Sequence, residues 1–335
     1  MTNNFLNSLR THLTTTIPQR TLSSTLLLAT FNIREFDSPA YGARLPEALD
    51  YLAEIISRFD LVAIQEVRRS LDALDAVRER LGPWWKYVCT DVTEGRPGNS
   101  ERMAFLFDGR KLRFAGISGE VVIPPVKRRG AGGKVVYEPA RQLYRTPHVC
   151  GFKSGRSRFL ICTVHVAYGA GRADDPKRAE EIRLVAEQLA ARARKRDAWS
   201  RTLVLLGDFN IFSPQDGTLE SLLSAGFEVP EPLRSLPSNA GKNRFYDQIA
   251  LLKHPGAELI PTGRAGVLDY YQSVFRNEDQ QRFVGAMGEA YEKTSRGTPR
   301  TDRGKTLYFR TYWRTHQMSD HLPMWMEVEV VGGGP

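Results

Sequence analysis

Four apolar runs in this chain end in polar residues that a buried strand does not tolerate alone. Leu26–Thr30 leads into Asn32, Leu61–Ile64 into Gln65 and Glu66, Phe159–Val164 into His165, and Leu203–Leu206 into Asp208. Short runs of this composition predict strands covered on both faces. A single Asn or Asp at a strand end is an ordinary turn residue. Buried carboxylates and imidazoles, however, need a metal, a cation or a histidine beside them. Several such endings in one chain therefore predict that the strand ends meet. Two further pieces carry the same signal. Tyr246-Asp247-Gln248 sets an acid inside an apolar strand, and Ser319-Asp320-His321 precedes the run Met324–Val331.

Helical spacing fills the segments between these strands. Pro46–Phe59 and Asp175–Arg196 each keep apolar residues on one face, as does Ser70–Leu81, for which Ser70 is the expected N-cap. Further strands are expected at Met103–Phe107, Arg113–Ile117 and Arg244–Leu252. Strands alternating with amphipathic helices predict an α/β fold in which helices cover sheets and polar residues gather at one sheet edge. The 335 residues allow one large domain or two ordinary ones. No linker divides the pattern, so residues 25–331 read as a single domain. Residues 1–24 read as an N-terminal arm or lead-in helix, and Gly332–Pro335 as a flexible end.

The chain carries 47 Lys and Arg against 38 Asp and Glu, a net charge of +9. That excess points to a polyanionic partner. No run approaches the ~18 apolar residues that a membrane span needs. No signal peptide and no membrane-binding helix are legible, so a cytoplasmic protein without a membrane partner, acting as a monomer, is expected. Three cysteines, Cys89, Cys150 and Cys162, cannot build a disulfide framework and have no zinc spacing. Nucleotide-binding glycine motifs are absent. Carboxylate and amide oxygens suit a hard divalent ion such as Mg²⁺, with Mn²⁺ or Ca²⁺ as the other candidates. Two histidines, each with an acid available to orient it, suit general acid–base work.

These segments resemble the motifs of the endonuclease/exonuclease/phosphatase superfamily, and within it most closely those of its deoxyribonuclease I-like branch. The similarity runs in order from about Thr25 to Val330. It is carried by the stretches 29–36, 60–68, 101–107, 207–210, 246–249 and 319–323. The resemblance implies a four-layer sandwich of two packed mixed β-sheets flanked by helices. It also implies divalent-metal-dependent phosphodiester hydrolysis, with DNA as the leading substrate. Glu66 matches the main metal ligand, with Asn32 and Asp320 close to the metal. Asp208 and Asn210 match the pair that orients water and phosphate. His165 and His321 match the catalytic histidines, with Glu101 and Asp247 as their orienting acids. Arg145 and Arg34 match or suit phosphate contacts, and Arg68 matches an Arg that reaches the DNA minor groove. The superfamily also contains inositol-phosphate phosphatases and sphingomyelinases, so a phosphatase or phospholipase is the alternative activity.

The sequence departs from that branch at three places. It lacks the cysteine pairs of extracellular members. Asn99 stands where a groove-packing aromatic is expected. The stretch Phe275–Arg314 is longer than its counterpart. Basic insertions near 126–145 and 275–314 read as loops flanking the cleft. The second interleaves Tyr308, Tyr312 and Trp313 with its cations, a pattern suited to phosphates and unpaired bases. A non-catalytic binding module is disfavoured because every matched acid and both histidines are present.

Overall fold

A computed structural model describes residues 2–36, 38–95 and 99–331. The tail expected to be flexible, 332–335, lies outside them. Two six-stranded mixed sheets pack face to face with helices outside, the four-layer arrangement anticipated from the sequence.

The first sheet runs β13 (Leu259–Val267), β14 (Met324–Val330), β1 (Thr25–Phe36), β2 (Leu61–Val67), β4 (Arg102–Asp108), β3 (Trp85–Cys89). The second runs β11 (Phe227–Glu228), β12 (Asp247–Leu252), β10 (Leu203–Asp208), β9 (Ser157–His165), β8 (His148–Ser154), β5 (Arg113–Glu120). Each sheet has one parallel pair at its centre, β1 with β2 and β10 with β9, and antiparallel neighbours on both sides. The sheets thus repeat one pattern of strand directions without repeating a sequence. The carboxyl ends of both parallel pairs lie at the same edge.

Alternation along the strands builds the layers. On β1, Leu26 and Leu28 join the core shared with the second sheet. Leu27, Ala29, Phe31 and Ile33 join the core under α2 (Pro46–Ile56) and α3 (Asp72–Leu81). Across the sandwich, Ile182, Val185 and Leu189 of α4 (Pro176–Ala193) pack with the second sheet. Asp175 caps α4, accepting from the N–H groups of Lys177 and Arg178. Ser70 is one residue off the expected cap. Its Oγ accepts from Asp72 N–H, but Leu71 occupies the cap position.

The N-terminal segment is a helix, α1 (Thr2–Thr16), and not a loose arm. Leu9, Leu13 and Ile17 recur at four-residue spacing and are buried in the core around α2. The segment Arg244–Tyr246, expected as strand, instead bonds the turn after β10, with Phe245 N–H donating to Ile211 O and Tyr246 O accepting from Phe209 N–H. Both basic insertions are more ordered than the loops expected. The first forms a hairpin of β6 (Val126–Arg129) and β7 (Val135–Glu138). The second is a set of short helices whose Phe275, Phe283, Phe309 and Trp313 are buried. No helix among the described residues is long and apolar enough to cross a membrane.

Candidate active site

Period-two alternation carries the core face of four strands out to one edge and changes its chemistry there. Leu26, Leu28, Thr30 and Asn32 share a face of β1, and Leu61, Ala63 and Gln65 share the matching face of β2. Ile161, Thr163 and His165 do so on β9, and Val204, Leu206 and Asp208 on β10. The apolar positions form the inter-sheet core, and the polar ones meet across it. Gln65 Nε2 donates to Thr163 Oγ1 at 2.8 Å and to Thr30 Oγ1 at 3.1 Å. One step further out, Asn32 Nδ2 donates to Asp208 Oδ2 at 3.0 Å.

Glu66 breaks the alternation. Gln65 faces the core, so a regular strand would turn Glu66 away from it. A left-handed backbone at Glu66 (φ 63°) and a register shift after Ile64 bring the carboxylate back to the edge. There Glu66 Oε1 accepts from Asn32 Nδ2 at 3.0 Å, and Oε2 from Glu35 N–H at 2.8 Å. Asn210 is also left-handed (φ 53°). Its backbone N–H donates to Asp208 Oδ1 at 2.9 Å and its Nδ2 to Val166 O at 2.8 Å.

The two histidines are held from behind by acids. His321 Nδ1 lies 2.8 Å from Asp247 Oδ2, and His165 Nδ1 lies 2.9 Å from Glu101 Oε2. Their Nε2 atoms both turn to Asp208 Oδ2, at 3.5 Å for His165 and 3.7 Å for His321. Burial opposes protonation of His321, but Asp247, Asp208 and Asp320 overcome it and raise its pKa well above the usual value. His165 is raised too, against burial and the Arg145 charge, by Glu101 and Asp208. Glu101 falls to about 2: burial works against ionisation, but His165, Arg145 and Asn99 outweigh it.

The remaining expected residues sit around this centre. Arg145 Nε is 2.9 Å from Glu101 Oε2, the oxygen that also faces His165, and its side chain is largely buried. Arg68 donates to Asn99 O and lies 3.8 Å from both Glu35 and Glu101. Arg34 Nη1 donates to Thr311 O at 3.2 Å and Thr315 Oγ1 at 2.6 Å, tying β1 to the second insertion. Asp320 is half-buried beside His321 and lines an adjoining groove.

Sequence reasoning left other members of the site without a role. Ser319 is fully buried. Its Oγ donates to Asn32 O at 2.6 Å and accepts from the N–H groups of His321 and Arg34. It therefore locks the His321 turn to β1. Ser238 Oγ accepts from Asp247 N–H, and the Tyr246 ring packs 5.4 Å from His321. Asn99 Nδ2 bonds Glu101 Oε1. The available signal for Ser319 was its place two residues before a histidine. Nothing in the sequence pointed to Ser238.

Among the described residues, two grooves adjoin side chains that flank the centre. One, of about 750 Å³, lies beyond Tyr246 and Asp320. The other, of about 390 Å³, lies beyond Arg145 and is lined by Tyr168, Arg172 and Lys177. Both insertions rise from the same edge. The hairpin joins the end of β5 to the start of β8, where Glu120 pairs with His148 and His148 with Thr163. The helical insertion joins the end of β13 to the start of β14, where Val267 pairs with Met324. Of the three aromatics expected to stack on bases, Tyr308 and Trp313 are buried in the core of the insertion, and Tyr312 is exposed.

The residues present fit a divalent cation at one corner. Among the described residues, Asn32 Oδ1 is buried without a hydrogen-bond partner. Glu66 beside it accepts only N–H groups among the described residues. Hard oxygen donors left in this state suit Mg²⁺ or a similar ion. Glu66, Glu101 and His165 come within 4.8 Å of one another, as do Asp208, Asp247 and His321. In each trio one carboxylate lies within 2.9 Å of the imidazole, Glu101 at His165 and Asp247 at His321, so we read these two pairs as acid–base groupings and leave Glu66 at the cation corner.

Residues 29–270 match the profile of the Endonuclease/Exonuclease/phosphatase family. A protein from Thioalkalivibrio sp. (strain K90mix), described as a deoxyribonuclease, is 26% identical over 251 residues, which are 73% of this chain and 62% of that relative. The chain thus spans about three fifths of the relative's length. Among solved structures, human Nocturnin's catalytic domain with bound sulfate is 14% identical, with a TM-score of 0.56 over 92% of this chain and 95% of that one. A humanized D. rerio TDP2 is 13% identical, with a TM-score of 0.55 over 91% and 98%. A mannosyl-6-phosphatase from Bacteroides thetaiotaomicron is 16% identical, with a TM-score of 0.53 over 90% and 99%. At these identities the structures speak for the fold.

Proposed function

Because the chain belongs to the endonuclease/exonuclease/phosphatase family, whose members hydrolyse phosphate esters and generally use divalent metals, we propose that it is a metal-dependent nuclease with DNA as its principal substrate. The observation that carries the reading is the convergence of His165 and His321 on Asp208 Oδ2, beside the oxygen-donor corner of Asn32 and Glu66.

Glu66 and Asn32 would hold the cation, with Asp320 at the rim. When bound, a divalent ion neutralises charge that develops on the phosphate oxygens. Asp208 and Asn210 position the attacking water. One imidazole accepts its proton at Nε2, and the other delivers a proton to the leaving oxygen. Glu101 and Asp247 keep each ring oriented and favour its protonated form. Arg145 supports this arrangement from behind through Glu101.

The substrate class is supported by the shape of the surroundings. Two open grooves adjoin the centre, both carrying arginines, where a small headgroup would call for a compact pocket. Cleavage should fall steeply with salt, because backbone contacts release counterions. Rates measured on DNA and on a phosphomonoester between 50 and 200 mM salt test this. A salt-insensitive rate on DNA, or a preference for the monoester, would exclude the nuclease reading.

A further inference from the structure

The groove of about 750 Å³ runs from the catalytic centre onto a segment, residues 303–312, that the proposed reaction does not use. Near the centre its wall is Tyr246, packed against His321. Its far wall carries Arg303 and Arg310, both exposed. Neither guanidinium has an ion-pair or hydrogen-bond partner among the described residues. Neighbouring cations are committed. Lys305 pairs with Glu292, Arg300 donates to Ala290 O, and the buried Arg314 donates to Phe275 O. Two free guanidinium groups on one groove wall are phosphate-seeking groups without a phosphate.

The groove does not stop at these arginines. Leu307, 54% exposed, lines it and also a second cavity of about 1050 Å³ on the other side of the segment. That cavity holds Tyr312, which is 41% exposed. The Tyr312 ring lies 6.3 Å from Tyr41, and Arg34 sits 5.5 Å over Tyr41. The backbone here is a π-helical turn, Tyr308–Trp313. Such turns are rare and recur at functional sites. This one keeps Phe309 and Trp313 buried while Arg310 and Tyr312 face solvent.

We propose that residues 303–312 form a ledge for a single-stranded stretch of nucleic acid leaving the catalytic centre. Phosphates rest on Arg303 and Arg310, and an unpaired base stacks on Tyr312. This rests on the nuclease reading above. A duplex does not satisfy the same surface: its bases have no free face for Tyr312, and its stiffness prevents it from turning over the Leu307 ridge. A flexible strand can do both, and aromatic stacking is indifferent to base identity.

The test uses the full chain with Mg²⁺ and end-labelled oligonucleotides, single-stranded and duplex, of one sequence. The variants are Arg303→Ala combined with Arg310→Ala, Tyr312→Ala, and Tyr312→Phe. All are exposed positions, and unchanged thermal midpoints verify folding. The double arginine variant should raise KM for the single strand about tenfold and make the log–log salt slope less negative by about 1.4, for two contacts at ~0.7 each. Tyr312→Ala should raise that KM roughly fivefold or more, with Tyr312→Phe restoring it. KM for the duplex should move less in every case. Unsubstituted KM and salt slope in folded variants, or equal effects on the duplex, would overturn the ledge and leave the nuclease reading standing. Failure of the unsubstituted chain to cleave either oligonucleotide would overturn both.

Discussion

His165 and His321 face each other across a single oxygen, with Nε2 of the first 3.5 Å and of the second 3.7 Å from Asp208 Oδ2. They come from different sheets, β9 and the turn before β14, and their acids come from the opposite sheets. The centre therefore exists only when the two sheets are packed. Losing either ring should cost ~10²–10⁴-fold in kcat/KM. His165→Ala and His321→Ala should each show that loss in a metal-supplemented cleavage assay, with an unchanged circular dichroism spectrum. A folded variant with a wild-type rate would remove that histidine from the reaction.

Asp247 sets the proton affinity of His321. Burial disfavours the imidazolium, and Asp247 is the largest influence opposing it. Removing that charge should lower the His321 pKa. In Asp247→Asn the limb of the pH–rate profile controlled by His321 should move to lower pH while the other limb stays. Movement of both limbs, or of neither, would contradict the pairing.

Glu101 links the centre to stability. Its carboxyl drops from the usual 4.5 to about 2 in the folded chain. A depressed carboxylate stabilises the fold above the unfolded pKa, and that contribution is lost as pH falls through the folded value. Urea midpoints of the wild type and Glu101→Gln should thus differ at pH 7 and converge as the pH falls from 4.5 towards 2. His165 contributes stability with the opposite pH dependence. Its share is present below the unfolded pKa and fades as pH rises through its raised value.

Metal binding should depend on Glu66 above the other acids. In Glu66→Gln the metal concentration for half-maximal activity should rise at least as much as the 10–100-fold typical of lost supporting groups. Isothermal titration with Mg²⁺ or Mn²⁺ checks this without turnover. Unchanged affinity would place the cation elsewhere.

Much of this centre was legible because it follows strand alternation. Asn32, Gln65, His165 and Asp208 stand at positions that a period-two reading of apolar strands places on one edge. Glu66 was legible by its residue type but not by alternation, since its backbone turn reverses the direction that position predicts. The fold was legible where strands were apolar. It was obscure at β13, which holds Pro261 and two glycines, and at β3, a short edge strand where only Trp85 is buried. The insertion at 275–314 was misjudged because its aromatics read equally as stacking surfaces and as a local core. Packing of Phe275, Phe283, Phe309 and Trp313 decides for the core and leaves Tyr312 outside. The placement of Arg34 and Arg145 depends on tertiary partners, Thr315 and Glu101, that no local pattern announces.

The most direct measurement is nicking of supercoiled plasmid by the full chain in Mg²⁺, with and without EDTA, beside the His321→Ala variant and a panel of inositol phosphates and sphingomyelin. The predicted result is plasmid nicking that EDTA abolishes, that the variant lacks, and that exceeds turnover of every other substrate. Nicking that persists in EDTA or in the variant, or hydrolysis confined to the phosphate and lipid panel, would contradict it.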